Sequence, residues 1–279
     1  QCAGGADSAD RLIFGRRMQK TNAFRFKQFT VTQERAAMKV GTDGVLLGAW
    51  ATVAGGELRR VLDIGTGTGV IALMLAQRTA ADTAPCAIDA VEVDPAAADE
   101  AAGNFAASPW GDRLRAHTDS IQRYAADYAS GEKYDLIVSN PPYFLAGTDF
   151  RRGFDTSASA SQPSAARVAA RHAEMLPYDD LIETVTTLLQ PDRGRFAAIF
   201  PYRESGIFIA KAAARGLFVH HLLEIHGAPR KPVKRVAVEC SLSRSPRETI
   251  TRETLCIEDG QGNFTEAYRL LTRDFYLKF

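Results

Sequence analysis

Two stretches carry side chains whose types and spacing could do chemistry. The first is Val61-Leu62-Asp63-Ile64-Gly65-Thr66-Gly67-Thr68-Gly69, an apolar run entering three glycines at alternate positions, with an acid inside the motif. Glycine is needed where the backbone takes positive φ or lets a ligand approach the main chain. The second is Ser139-Asn140-Pro141-Pro142-Tyr143, at the end of the apolar run Leu136 to Val138. Proline has no N–H and fixes φ, so Pro141 and Pro142 stop a strand and stiffen the backbone beyond it. The Asn140 amide and the Tyr143 ring are thereby pinned where the strand ends. A rigid turn accounts for the prolines but not for the amide and ring that flank them.

Both motifs need the same scaffold. Val70 to Arg78 is apolar at helical spacing, so the glycines join a strand to a helix whose N-terminus offers free N–H groups. Ligands of open α/β sheets bind at the carboxyl edge of the strands, where both motifs fall. Dinucleotide sites use G-x-G-x-x-G. The spacing here is G-x-G-x-G, which resembles the first motif of Rossmann-like S-adenosylmethionine methyltransferases; the bland alternative is a turn that binds nothing. The resemblance implies that Asp63, Gly65, Gly67 and Gly69 border the cofactor. One strand later, Glu92 ends the run Ala87 to Val93, where an acid can bond both hydroxyls of a ribose. Asp94 before Pro95 reads as a helix N-cap with proline at the first helical position. Asp119, at a third strand end, either accepts from an adenine amine or caps the next helix, with Gln122 closing a capping box. Lys39, Thr42 and Asp43 are either a turn and helix cap or a loop closing over the cofactor.

The Asn140 motif suits methylation of a planar amine, whose lone pair is delocalised into its ring. The Asn140 side-chain oxygen and the Pro141 carbonyl can accept both amine hydrogens and localise the lone pair. Tyr143 or Phe144 can stack on the base. The gain is orientation and electrostatics, with no strong general base.

The rest of the chain sets bounds. Hydrophobic residues make up 46% and charged residues 24% of 279, an ordinary globular profile. The net charge of +1 announces no nucleic-acid partner, so any such partner must be met by local patches. The four cysteines are scattered and the five histidines lack metal-ligand spacing. The expectation is a cytoplasmic monomer with reduced cysteines, no metal and no membrane segment. Met18 reads as a natural start, and residues 1 to 17 as an extension expected to be partly disordered.

Residues 24 to 33 alternate aromatic and polar side chains, which predicts a strand or hairpin. The βα alternation from 61 to 242 predicts one domain, residues 18 to 279, built on a doubly wound, mostly parallel seven-stranded sheet with a late antiparallel strand. The polar, Ser-rich stretch 148 to 166, with Arg151 and Arg152, is expected to form a lid. Arg230, Lys231, Lys234 and Arg235 put four positive charges in six residues, either a solvated loop or a phosphate-contacting patch.

From about Phe24 to Phe279 the chain resembles the bacterial tRNA1(Val) (adenine(37)-N6)-methyltransferases. Carrying the resemblance are Phe26-Lys27-Gln28-Phe29, Met38 to Gly44 with Leu47-Gly48-Ala49-Trp50, the Leu62-to-Gly69 motif, Leu73 to Arg78 and Ser108-Pro109-Trp110. Ser139 to Tyr143 and the tail Glu266-Ala267-Tyr268 with Phe275-Tyr276-Leu277 complete it. It implies S-adenosylmethionine as cofactor, N6-methylation of the adenine 3′ of a valine tRNA anticodon, and tRNA as partner. Asn140, Pro141 and Tyr143 would then be catalytic. Separately from the resemblance, which carries over poorly to the Ser-rich 151 to 166 loop, Arg151, Arg152, Arg230, Lys231, Lys234 and Arg235 are expected to supply the phosphate contacts. Two alternatives stand beside this reading. One is another amino-methyltransferase acting on rRNA, DNA or a protein glutamine. The other is a non-catalytic protein that binds S-adenosylmethionine and RNA.

Overall fold

The computed structural model describes residues 22–53, 58–82, 85–141, 176–243 and 249–279. The N-terminal extension, the expected lid, and Pro142, Tyr143, Phe144, Arg151 and Arg152 lie outside the described residues.

The chain opens with a hairpin, β1 (Ala23–Arg25) and β2 (Thr30–Thr32), then α1 (Thr42–Trp50). Alternation comes next: β3 (Arg60–Ile64), α2 (Val70–Arg78), β4 (Ala87–Glu92), α3 (Pro95–Ala106), β5 (Leu114–Thr118), α4 (Ile121–Tyr128) and β6 (Leu136–Ser139). After the undescribed segment come α5 (Tyr178–Leu188), β7 (Arg195–Pro201), α6 (Tyr202–Ala214), β8 (Phe218–His226), β9 (Val233–Ser241), β10 (Thr251–Cys256) and α7 (Glu266–Thr272). The sheet order is β10-β8-β9-β7-β6-β3-β4-β5. Of these eight strands, only β9 runs antiparallel to its neighbours. The expected doubly wound sheet with a late antiparallel strand is therefore present. It is extended by an eighth strand, β10, which pairs parallel to β8 at the edge. Local pattern reads β10 as a strand; only long-range pairing says where it joins.

The buried strands are apolar on both faces, as a parallel sheet covered by helices requires. In β3, Val61 joins the core under α1, α2 and α3, whereas Leu62 and Ile64 join the core under α4, α5 and α6. This is the period-two alternation of a strand. Asp63 therefore shares the face of Val61.

Two helix starts correct the sequence reading. Helix α1 is preceded by Gly41 in extended conformation, φ −126° and ψ 166°, with no side-chain cap. Thr42 and Asp43 are its first two residues rather than its cap, and the Asp43 carboxylate is engaged by Arg235 instead. Helix α4 is capped by Ser120, whose hydroxyl accepts from the Arg123 N–H. Asp119 lies one residue too early because its own N–H is held by the Glu92 carbonyl, continuing the β4–β5 pairing. Gln122 bonds Asp180 and closes no capping box. Asp94 does cap α3, accepting from the Ala96 N–H. Among the described residues no helix is long and apolar enough to cross a membrane.

Candidate functional site

The glycine turn is built by its neighbours. The Gly65 and Thr66 N–H groups both donate to the Val91 carbonyl, tying the turn to β4. The Gly67 N–H donates to Glu92 Oε2 at 2.9 Å. Gly65, Gly67 and Gly69 have φ of 69°, 55° and 80°, which L side chains seldom adopt. Their surroundings differ. A Cβ on Gly65 or Gly67 would meet nothing within 4 Å, so these two border open space. A Cβ on Gly69 would lie 2.4 Å from Phe105 Cε1, so this glycine exists to let α2 pack on α3. The same helix α3 clasps the turn from behind. The Asn104 amide donates to the Thr68 carbonyl and to the Thr32 carbonyl of β2, while Asn104 Oδ1 accepts the Thr32 N–H. Buried Glu100 accepts the N–H groups of Glu34, Arg35 and Ala36. Three polar or aromatic residues in an alanine-rich helix were the available signal; their partners lie too far away in sequence to be guessed.

Asp63 sits beneath the turn. It is fully buried, and Oδ2 accepts the Thr66 hydroxyl at 2.6 Å. Oδ1 makes no well-formed hydrogen bond. Burial pushes this carboxyl up to about 7; the Thr66 hydroxyl and, more weakly, the Ala72 N–H oppose the rise, and the Glu92 charge adds to it.

In front of the turn lies a cavity of about 360 Å³, within the range of small-molecule sites. One wall is the start of α1 with the segment before it, including Lys39, Thr42 and Asp43; the floor is Gly65 to Thr68. Asn140 lines it from the end of β6, where the Ser139 hydroxyl donates to the Ile64 carbonyl at 2.9 Å and locks the two strand ends together. Pro141 is buried just beyond. The far wall is Ile225, Gly227, Lys234, Arg235 and Ile257. Lys39 Nζ is anchored on the Gln33 and Glu34 carbonyls. Asp43 Oδ2 accepts from Arg235 Nε at 2.7 Å.

The structure thus brings Lys39, Thr42, Asp43, Gly65, Gly67 and Asn140 to one cavity, as the sequence suggests. Asp63, Gly69, Glu92 and Asp119 do not line it: the first three bond residues of the turn, and Asp119 bonds Glu92. Glu92 bonds the turn and the Asp94 N–H, and Asp119 Oδ1 accepts the Ser120 N–H. Arg230 and Lys231 are exposed on the β8–β9 loop, Arg230 in the left-handed region at φ 64°. Arg235, expected on phosphate, is instead paired with Asp43. No local pattern marks the far wall as cavity lining, since its residues lie more than eighty positions beyond Asn140 in the chain.

The residues present fit a cationic nucleoside cofactor. Two glycines open onto space that a Cβ would enter, an underused buried carboxylate lies below, and an acid stands at the next strand end to meet a ribose.

Known proteins resemble this chain over most of its length. Residues 43–157 match the methyltransferase small domain family. A tRNA1(Val) (adenine(37)-N6)-methyltransferase of Trichodesmium erythraeum is 44% identical over 92% of this chain and 99% of its own. One from Serratia proteamaculans is 42% identical over 92% and 91%. In fold, a predicted O-methyltransferase from Agrobacterium tumefaciens superposes with a TM-score of 0.59 at 18% identity, covering 84% of this chain and 96% of that one. The glycine turn, the Asn-Pro edge and near-full-length similarity together assign the chain to the tRNA1(Val) (adenine(37)-N6)-methyltransferase family.

Proposed function

We propose that this protein methylates N6 of the adenine at position 37 of tRNA1(Val), using S-adenosylmethionine. The observation that supports it most is that Asn140 borders the same cavity as Gly65 and Gly67, so a donor and an acceptor amine can meet there. When bound, S-adenosylmethionine supplies an electrophilic methyl group on its sulfonium. Gly65 and Gly67 let the cofactor come against bare backbone. Glu92 would meet the ribose hydroxyls, Asp119 the adenine amine, and the Asp43 carboxylate on the cavity wall would favour a cation, with Asp63 buried beneath the turn. At the strand edge, Asn140 Oδ1 and the Pro141 carbonyl accept the two hydrogens of the target amine and direct its lone pair at the methyl. Tyr143 or Phe144 stacks on the target base. A base in an anticodon loop is already unpaired, so drawing it into the cavity costs less than flipping it from a duplex. Arg230 and Lys231 on the exposed β8–β9 loop, with Arg151 and Arg152, meet the phosphate backbone. The reading extends to a cytoplasmic monomer that uses no metal.

The test is incubation with total tRNA and labelled S-adenosylmethionine, then identification of the modified nucleoside and its position. N6-methyladenosine 3′ of a valine anticodon is expected. Label appearing in rRNA, DNA or protein glutamine would move the assignment to a sister activity, and no transfer at all would leave a binding protein. Asn140→Ala should lower kcat on the order of 10²–10³-fold, the scale for removing one preorganised polar group, and leave S-adenosylmethionine affinity little changed. A fully active variant would overturn the amine-orienting role.

A further inference from the structure

Resting on that reading, we propose that the adjacent basic residues Lys234 and Arg235 serve the two ligands of the cavity separately. Lys234 binds the phosphate backbone at the nucleotide whose base enters the site, and Arg235 is a positioning residue that holds Asp43 for the cofactor.

Both residues line the far wall at the start of β9. Their registry fixes where that start lies. Arg235 stands opposite Pro201 of β7 and Ile225 of β8, so β9 begins at the carboxyl edge of its neighbours. Strand β7 pairs with β6, whose last residue, Ser139, stands opposite Ala198 and immediately precedes Asn140. From Arg235 to Asn140 is therefore two inter-strand steps of roughly 5 Å each, offset by two residues or about 6–7 Å along the strands, a separation of roughly 12 Å. That is comparable to the reach from the exocyclic amine of an adenosine to its own phosphate. A base offered to Asn140 thus has its phosphate near the start of β9.

The two cations differ in what already holds them. Arg235 Nε donates to Asp43 Oδ2 at 2.7 Å, and both side chains are about one-quarter exposed. Its charge is matched by a carboxylate across 192 residues of sequence. To bind a phosphate it would have to leave that carboxylate bare inside the cavity, which is costly. Among the described residues Asp43 Oδ1 has no partner, so Arg235 fixes one oxygen and leaves the other for a ligand cation, such as the ammonium or sulfonium of the cofactor. Lys234 is exposed, lines the same cavity, and has no partner for Nζ among the described residues. An ammonium on a flexible stem is suited to a phosphate as a point charge. A planar guanidinium is suited to a fixed carboxylate.

The experiment measures S-adenosylmethionine binding by calorimetry and tRNA binding against salt, with steady-state kinetics, on the full chain. Lys234→Ala should leave cofactor affinity unchanged, weaken tRNA binding about tenfold, and reduce the slope of log K against log salt by about one, the signature of one lost phosphate contact. Arg235→Ala should raise KM for S-adenosylmethionine about tenfold, leave kcat at saturation nearly intact, and leave the tRNA salt slope unchanged. Arg235→Lys should recover part of the cofactor affinity, and Arg235→Ala combined with Asp43→Asn should cost less than the two effects summed, because both act through one contact. A reduced salt slope with unchanged cofactor affinity in Arg235→Ala, or an unchanged slope in Lys234→Ala, would overturn the division of labour. Wild-type protein that neither binds nor methylates tRNA would sink the functional reading as well. Wild-type activity with two variants that behave alike would sink the inference alone.

Discussion

Two buried aspartates, Asp63 and Asp89, lie on neighbouring strands one register step apart, since Asp89 pairs opposite Leu62 and Asp63 opposite Ala90. Asp89 takes the face of Leu62, away from the cavity. Its Oδ2 accepts from Arg60 at 2.9 Å and from the Tyr134 hydroxyl at 2.8 Å, and its Oδ1 lies 2.9 Å from His117 Nε2. Burial alone would raise its pKa, but the bonds from His117, Tyr134 and Arg60 outweigh burial and hold it below the ordinary carboxylate value. Asp63 has one hydroxyl and an underused oxygen, and burial prevails. A buried acid with every acceptor filled belongs to the scaffold. A buried acid left short of donors beneath a cavity is where a ligand's positive charge can be stabilised.

Asp89→Ala should destabilise the protein by about 3–5 kcal/mol, because it removes the one buried carboxylate that Arg60, the Tyr134 hydroxyl and His117 all bond. Thermal unfolding should fall by roughly 10 °C, while cofactor affinity measured well below that temperature stays unchanged. A loss of affinity as large as the loss of stability would mean that the network belongs to the site after all.

Asp63→Asn should act with the opposite sign, and with pH. The folded-state pKa of about 7 lies above the ordinary 3.8. Between these values the folded protein holds a proton that the unfolded chain has released, so this group's contribution to stability declines as pH rises through that window and is level above it. The variant lacks the decline. Relative to wild type it should gain up to about 4 kcal/mol between pH 4 and pH 8, read as the difference between paired thermal melts across that range. Parallel melting curves would show that Asp63 titrates like an exposed acid.

How much of this contrast was legible in the sequence depends on the range of each cause. The strand–glycine–helix unit and the Asn-Pro edge rest on local backbone chemistry, and they fell where Gly65, Gly67 and Asn140 are found. Asp119 and Ser120 offer adjacent acceptors, and only the bond from Asp119 N–H to the Glu92 carbonyl decides that Ser120 caps α4. The Asp43–Arg235 pair joins residues far apart in the chain, and no spacing rule reaches that distance. Asp89 reads as an isolated acid in an apolar strand, because its partners come from β3, β5 and the segment before β6.

The glycines permit a smaller version of the same test. Gly69→Ala combines left-handed strain of about 1–2 kcal/mol with a collision against Phe105, for a loss of about 3 kcal/mol; Phe105→Leu should return part of it. Gly67→Ala carries the strain without the collision, so its stability loss is smaller and its loss of cofactor affinity larger, and Phe105→Leu should return none of it. Rescue of both variants by Phe105→Leu would show that the cavity-facing and packing glycines are not distinct.

The smallest effect comes from the edge of the Asp89 network, and proton counting sets its direction. The Tyr134 hydroxyl has one hydrogen, and it is given to Asp89. The 2.7 Å contact between the Tyr124 and Tyr134 hydroxyls therefore runs with Tyr124 as donor, and Tyr134 also accepts from Arg60 at 3.0 Å. Removing the Tyr124 hydroxyl takes one of two donors from Tyr134 and leaves both Asp89 oxygens bonded. Tyr124→Phe should cost about 1 kcal/mol, one ordinary hydrogen bond, whereas Tyr134→Phe should cost more because it deprives Asp89 and leaves the Tyr124 hydroxyl without its acceptor. Equal losses in denaturant titrations of the two variants would mean that the hydroxyl chain runs the other way, with Tyr134 donating to Tyr124 and Asp89 held by Arg60 and His117 alone.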